Sequence, residues 1–320
     1  MLVPATDRER VRVLATNSAE FYARFAPDGT EEGLLTATLW TYWGFAFDDA
    51  RCDHGPLAAN PGAFLPMAGR VQHAAESASA PPPSADRYAA ALHDVVARMR
   101  SHATPTQVRR FLDANRHWLY CVAWQVGNRC TGRMPDLAEY LALRMGSSGG
   151  PPTIALLEVT TGVEVPAREL DHPAVRALTE MTWLVAALDN DLHSHRKEVA
   201  ETETDQNVVT VLVRQNGCST EQALVEAVAL RDRVMGRFLW LRDRVRARAS
   251  AELACYLDCL GHAIRGNIDW AANVPRYLAA DTPDGVPSQV PIVVTDEPSD
   301  TRADPPPIPA IAWWWDRLDP

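Results

Sequence analysis

Asp48-Asp49-Ala50-Arg51-Cys52-Asp53 and Asn190-Asp191-Leu192-His193-Ser194-His195-Arg196-Lys197-Glu198 set two groups of oxygen-bearing side chains at the ends of apolar stretches. Hard oxygen donors suit Mg²⁺ better than a softer transition metal. Mg²⁺ seldom sits in an all-protein cage; it keeps waters and takes further ligands from the phosphates of a substrate. The two segments therefore point to a site that grips a diphosphate through metal ions. In helical phase Asp49 and Asp53 are four apart and share a face, with Asp48 about 100° round from Asp49. Three like charges so close destabilise a helix end unless cations neutralise them. A solvated acidic C-terminal turn is the plainer alternative, and the helix dipole disfavours it. Asn190, Ser194 and Glu198 fall at i, i+4 and i+8, which stacks an amide, a hydroxyl and a carboxylate along one side of a helix. The candidate metal ligands are thus Asp48, Asp49, Asp53, Asn190, Ser194 and Glu198, and Lys197 stands where it can reach a phosphate. His193 and His195, two apart, point to different faces and do not make a zinc site. Arg51 and Arg196 read as local counter-charges to the acids.

Helices must carry these groups. Apolar residues recur at three- and four-residue spacing around 8–25, 31–48, 86–100, 105–128, 136–146, 172–199, 219–248 and 250–274. Strand-like alternation is almost absent, Val208-Val209-Thr210-Val211-Leu212-Val213 being the one β-rich patch. Gly149-Gly150-Pro151-Pro152 cuts one helical pattern in two, and Pro81-Pro82-Pro83 precedes another. Tracing back from Asp48 along its face gives Phe45, Gly44 and Thr41; from Asn190 the same exercise gives Ala187, Ala186 and Trp183. Each polar rim thus stands over an apolar wall. The fold expected is all-α, with one domain over 1–281. Residues 282–320 are a Pro- and Asp-rich arm ending in Trp313-Trp314-Trp315. Closure of that arm over a loaded site is the preferred reading, beside a docked anchor or a subunit contact.

Composition narrows the class further. A net charge of −10 leaves no basic stripe for a nucleic acid or an anionic membrane. No apolar run reaches the 18 or so residues of a membrane span. Charge enters within the first ten residues, too early for the apolar region of a signal peptide. The six cysteines are scattered without a Cys-x-x-Cys, and Cys255 and Cys259 read as small core residues. A soluble, reduced, cytoplasmic protein is the expectation.

Taken in order, these residues resemble the bacterial class I terpene synthases. The resemblance rests on the aspartate-rich motif (Asp48, Asp49, Asp53) and a second motif of the form ND-x-x-S-x-x-K-E (Asn190, Asp191, Ser194, Lys197, Glu198). It rests also on an Arg276-Tyr277 pair following Gly266-Asn267 and Trp270, and on Arg144, 46 positions before Asn190, with Gly149-Gly150 close behind. Those elements span positions 48 to 277. Three departures stand out. Ser147 occupies the linker position, where the family commonly has Asp or Thr. Ser148 takes the effector position by spacing. The segment before the aspartate motif is shorter than usual, so one helix there is expected to be missing or truncated.

The resemblance implies a single-domain helical bundle with both motifs facing each other across the mouth of a deep apolar cavity. It implies three Mg²⁺ ions, with Arg144, Lys197, Arg276 and Tyr277 donating to phosphate oxygens, and with Arg144, Ser147, Ser148, Arg276 and Tyr277 acting in ionisation. Asp48 is the first ligand expected. Loss of diphosphate leaves an allylic carbocation, which aromatic faces stabilise by about 2 kcal/mol or more each when desolvated; Phe45, Trp183 and Trp270 are candidates by phase, or else ordinary core. The substrate implied is an acyclic isoprenyl diphosphate, cyclised to a di- or sesquiterpene. Small Gly44, Ala186 and Ala187 tilt the length toward geranylgeranyl diphosphate over farnesyl diphosphate. A prenyltransferase of the same fold is an alternative that calls for a second aspartate-rich motif; a non-catalytic helical interaction protein leaves the ordered set unexplained. No nucleic-acid or membrane partner is expected, and a homodimer is left open.

Overall fold

The structure, a computed structural model, describes residues 6–77, 86–201, 206–274, 293–316 and 318, the side chains of 8, 196, 197 and 199–201 excepted. The chain is all-α, and no strand occurs among the described residues. Helices α1 (Asp7–Leu14) and α2 (Ser18–Phe25) precede α3 (Glu31–Phe47), which runs directly into a π-helical turn over Asp48–Asp53. Then come α4 (Pro61–Glu76), α5 (Arg87–Arg100), α6 (Pro105–Thr131), α7 (Leu137–Ser147), α8 (Gly150–Thr161) and the short α9 (Ala167–Leu170). The second half holds α10 (Pro173–Glu201), α11 (Val208–Asn216), α12 (Thr220–Arg246) and α13 (Ala251–Ala271). The arm adds α14 (Pro309–Ala312) and a 3₁₀ turn, Trp313–Trp315.

Local chemistry sets most of these boundaries. Thr104 with Gln107, and Ser219 with Gln222, form reciprocal capping boxes at the starts of the two 27-residue helices α6 and α12. The pattern over 8–25 is broken at Asn17, whose φ of 44° is left-handed. Helix α4 escaped the periodicity because Gly62, Pro66 and Gly69 interrupt its apolar pattern. The β-rich patch at 208–213 is helical: the Asn207 side chain caps Val209 N–H at 2.9 Å, and Val208, Val209, Val211 and Leu212 are buried. Burial of four aliphatic side chains outweighs the small helix penalty of β-branching.

Helix α6 packs on α4, α7 and α8; α10 packs on α12 and α13; α3 lies between α2, α5 and α8. Where α3 meets α8 the backbones nearly touch. Thr30 N–H donates to Thr160 O at 2.8 Å, and a Cβ on Gly33 would lie 2.5 Å from that same oxygen. The short N-terminal helices are pinned to the bundle by two buried polar bonds: Tyr22 Oη donates to Thr153 O at 2.8 Å, and Trp270 Nε1 to Thr16 O at 2.8 Å. Buried Glu158 pairs with Arg110 at 2.6 Å and accepts from Val165 N–H at 2.8 Å.

The arm is docked on the outside of the bundle. Trp314 is fully buried; its Nε1 donates to Glu180 on α10 at 3.1 Å, and its carbonyl accepts from Arg237 on α12 at 2.8 Å. The Arg176 guanidinium stands 5.6 Å over the Trp313 ring, and α14 touches α7. Where it is described, the arm packs on α7, α10 and α12; residues 282–292 lie outside the described set, and closure over a loaded site stays a proposal.

Candidate active site

A cavity of about 1560 Å³, a figure that includes open solvent at its mouth, collects many of the described chemistry-bearing residues. Helix α3 contributes Thr41, Gly44 and Phe45, the π turn after it Asp48 and Asp53, and α10 contributes Trp183, Ala186, Ala187, Asn190, Ser194 and Glu198. Both walls follow the faces traced by helical phase. Helix α13 adds Ala263, Asn267 and Trp270, and the junction of α7 with α8 adds Arg144, Ser147 and Ser148.

The aspartate segment is wound differently from an α-helix. In a π turn the backbone bonds run i→i+5, one residue wider than in the α form. Asp48 and Asp53, five apart, both line the cavity, whereas Asp49 is ion-paired with Arg12 of α1 at 3.0 Å and is not part of the lining. The expected sharing of one face by Asp49 and Asp53 is therefore corrected. Both terminal nitrogens of Arg51 donate to Asp86, the N-cap of α5, at 3.2 Å. Asp53 has a counter-charge in Arg129 of α6, which donates to Cys52 O at 2.6 Å and lies 3.4 Å from Asp53 Oδ1. Nothing in the sequence announced Arg129, which stands 76 positions away. Burial, reinforced by Asp48 and Asp53, pushes the intervening Cys52 thiol well above its usual range.

On α10 the second group is held by a buried network. Arg144 Nε donates to Asp191 Oδ1 at 2.9 Å and its Nη2 to Asn190 Oδ1 at 2.8 Å. Asp191, 1 % exposed, also accepts from Tyr140 Oη and from Val208 N–H. Burial opposes the charge on Arg144, but Asp191, with Tyr140 and Glu198, outweighs it and keeps the guanidinium protonated. Ser194 Oγ donates to Asn190 O at 2.8 Å, and Asn207 Nδ2 donates to Glu198 Oε2 at 2.8 Å. Asn207, like Arg129, was missed from sequence. The Lys197 side chain, Arg276 and Tyr277 lie outside the described residues. His193 and His195 are buried on α10, and burial drives the His193 imidazole down to about 4, a neutral ring at physiological pH.

The α7–α8 break is shaped by glycine. Gly149 has φ 78°, and a Cβ on Gly150 would come within 3.1 Å of Trp183 Cβ. The Ser148 hydroxyl accepts from Gly150 N–H at 3.2 Å; Ser147 is buried, its carbonyl accepting from Trp118 Nε1 at 3.2 Å. Below the rim Phe45 and Trp270 stack at 5.5 Å with an interplanar angle of 19°, and Phe21 meets Trp270 edge-on at 4.9 Å.

The donor set fits a hard divalent cation. All the rim ligands are oxygens, and among the described residues no three His, Cys, Asp or Glu side chains converge on one point. An ion held here needs further oxygens from a phosphate and from water, as Mg²⁺ prefers. The cavity joins a mouth lined by carboxylate, amide and hydroxyl oxygens to an interior walled in part by aromatic rings.

Residues 39–237 match the model described as terpene synthase family 2, C-terminal metal binding. The chain is 51% identical over 313 residues to spiroviolene synthase of Streptomyces violens, covering 97% of this chain and 87% of that one. It is 37% identical over 296 residues to tsukubadiene synthase of Streptomyces tsukubensis, covering 92% and 85%. Among solved structures, the SVS_A2 protein from ancestral sequence reconstruction superposes with a TM-score of 0.88 at 51% identity, covering 98% of this chain and 89% of that one.

Proposed function

Because the chain belongs to terpene synthase family 2, a family of metal-binding lyases, we propose that it is a Mg²⁺-dependent cyclase that ionises geranylgeranyl diphosphate. The observation that carries this reading is the convergence of Asp48 and Asp53 from one helix end, and of Asn190, Ser194 and Glu198 from another, on the mouth of one aromatic-walled cavity. Asp48 and Asp53 would hold Mg²⁺ from one side of the mouth and Asn190, Ser194 and Glu198 from the other; Asp49 supports the turn through Arg12. Bound Mg²⁺ neutralises the charge that develops on the departing diphosphate; three ions are the number proposed.

The protein's own groups do the rest. Arg144, charged and fixed on Asp191, presents its Nη2 edge at the cavity lining, where a phosphate oxygen can replace Asn190 Oδ1 as acceptor. Lys197, Arg276 and Tyr277 supply further donors by family resemblance. Donors aimed where charge appears stabilise the transition state without a nucleophile. Ser147 and Ser148 join Arg144 to the glycine break beside Trp183. Phe45, Trp183 and Trp270 turn π faces to the cation, and the apolar lining keeps water from trapping it.

Gly44, Ala186 and Ala187 leave room beneath the rim, which supports the twenty-carbon substrate over the fifteen-carbon one. The six cysteines are all free, which supports a reducing, cytoplasmic setting, and among the described residues no helix is long and apolar enough to cross a membrane. Incubating the purified protein with Mg²⁺ and each diphosphate separately, with diphosphate release and hydrocarbon products both measured, tests the reading. Turnover of geranylgeranyl diphosphate is expected. Efficient turnover of farnesyl diphosphate alone overturns the chain length, and release from neither overturns the function.

A further inference from the structure

Asn267 is the polar member of the α13 face that borders the cavity, between Ala263 and Trp270. Its side chain is 8 % exposed. Nδ2 donates to Ala186 O at 3.3 Å. A backbone carbonyl only accepts, so this bond fixes the amide with its nitrogen toward α10 and its oxygen turned the other way. Among the described residues no donor reaches Oδ1, and that oxygen is not sealed off among buried atoms without partners. In a residue that lines the cavity, the open direction is the cavity itself.

An acceptor that opens on the chamber and has no partner on the protein is available to whatever occupies the chamber. Water is a poor occupant during a carbocation reaction, since it would add to the cation. A passing positive charge is a good one: the negative end of a fixed amide dipole attracts it, and the attraction is strong where the dielectric is low. Location makes this specific. Ala186 is four residues before Asn190 on α10, so Asn267 lies roughly 5–6 Å, one helical turn, below the rim. Trp270, stacked on Phe45, borders the cavity one turn further along α13.

Resting on the cyclase reading above, we propose that Asn267 Oδ1 is a product-determining acceptor, holding positive charge on cation intermediates one helical turn below the leaving diphosphate. Asn267 takes no part in gripping the diphosphate. Removing it therefore changes which hydrocarbon forms more than how fast diphosphate departs.

The test compares Asn267→Leu, of similar volume but with no acceptor, with Asn267→Asp, which in its protonated form keeps both an acceptor oxygen and a donor for Ala186 O. Diphosphate release in Asn267→Leu is expected within about threefold of the unaltered enzyme, while the share of its principal product falls at least about fivefold. Asn267→Asp is expected to keep the principal product dominant. If Asn267→Leu fails to fold by circular dichroism, Asn267→Ala takes its place. An unchanged product profile in the Leu or Ala variant overturns the proposal. So does an equal redistribution in the Leu and Asp variants with matching losses of melting temperature, which would make Asn267 only a tie between α13 and α10. Absence of diphosphate release by the unaltered enzyme would instead overturn the cyclase reading beneath it.

Discussion

Arg144 and Asp191 form a buried ion pair with Nη2 2.7 Å from Oδ1, and the same guanidinium extends to Asn190 at the cavity lining. One residue thus has a fixed end and an exchangeable end. The fixed end lies on a carboxylate that Tyr140 and Val208 N–H also hold, so Asp191 positions the arginine and leaves the rim oxygens to the ligand.

Asp191→Ala is expected to cost about 3–5 kcal/mol of stability, because it strands a buried guanidinium without its partner. Thermal or urea denaturation measures this. A loss below about 1 kcal/mol would show that Arg144 finds another counter-charge and that the pair does not organise the site.

At the two sides of the cavity mouth, Asp48→Ala and Glu198→Ala are expected to lower product formation by at least about 10²-fold, with the helical circular dichroism spectrum unchanged. Asp49→Ala, which removes an ion pair to Arg12, is expected to stay within about tenfold of the unaltered enzyme. Equal losses for Asp48 and Asp49 would contradict the division of labour that the π turn imposes.

Two glycines offer a packing test. A Cβ on Gly33 would lie 2.5–2.7 Å from backbone atoms of Val159 and Thr160, none of which is a flexible side-chain tip. Gly33→Ala is therefore expected to cost about 1–3 kcal/mol, by prising α3 from α8. Gly69→Ala, on the exposed side of α4 with nothing within 4 Å, is expected to stabilise by about 0.5–1 kcal/mol through backbone entropy. Denaturant titration of both variants checks the opposite signs.

Burial raises the Cys121 thiol to about 11. The folded state keeps its proton where the unfolded chain loses it, so the contribution to stability is complete below about pH 9 and disappears as pH rises to about 11. Its full size is about 3 kcal/mol. Urea midpoints for Cys121→Ala should fall less steeply over that interval than those of the parent. Parallel slopes would mean that the thiol titrates as freely in the folded protein as in the unfolded chain.

Trp314→Ala removes a fully buried indole from beneath the arm. A cost of about 3–5 kcal/mol is expected, with the product profile of the remaining folded enzyme unchanged, because this side chain borders no part of the cavity. A changed profile at full occupancy of the fold would return the arm to the role of a cover.

Helical phase made both cavity walls legible. Phe45, Gly44 and Thr41 under Asp48, and Ala187, Ala186 and Trp183 under Asn190, lie where a period of 3.6 places them. The same arithmetic failed at Asp49, because a π turn changes the period exactly where α3 ends. It also could not find α4, whose Gly62, Pro66 and Gly69 hide a helix that is held by burial of Phe64, Met67 and Val71. Arg129 and Asn207 reach the site from other helices and loops, through contacts that depend on tertiary packing, and single-chain periodicity carries no trace of them. The arm's place was equally hidden. Three adjacent tryptophans announce that something apolar will be covered, and only the Glu180, Arg176 and Arg237 partners say where.

That docking sets the arm's indoles apart from those of the chamber. Trp40, Trp118, Trp183 and Trp270 border the chamber, whereas Trp314 is held by Glu180 and Arg237, and Trp313 lies beneath Arg176. Replacing the indoles of one set and recording intrinsic emission from the other therefore gives separate optical readouts of filling of the site and seating of the tail.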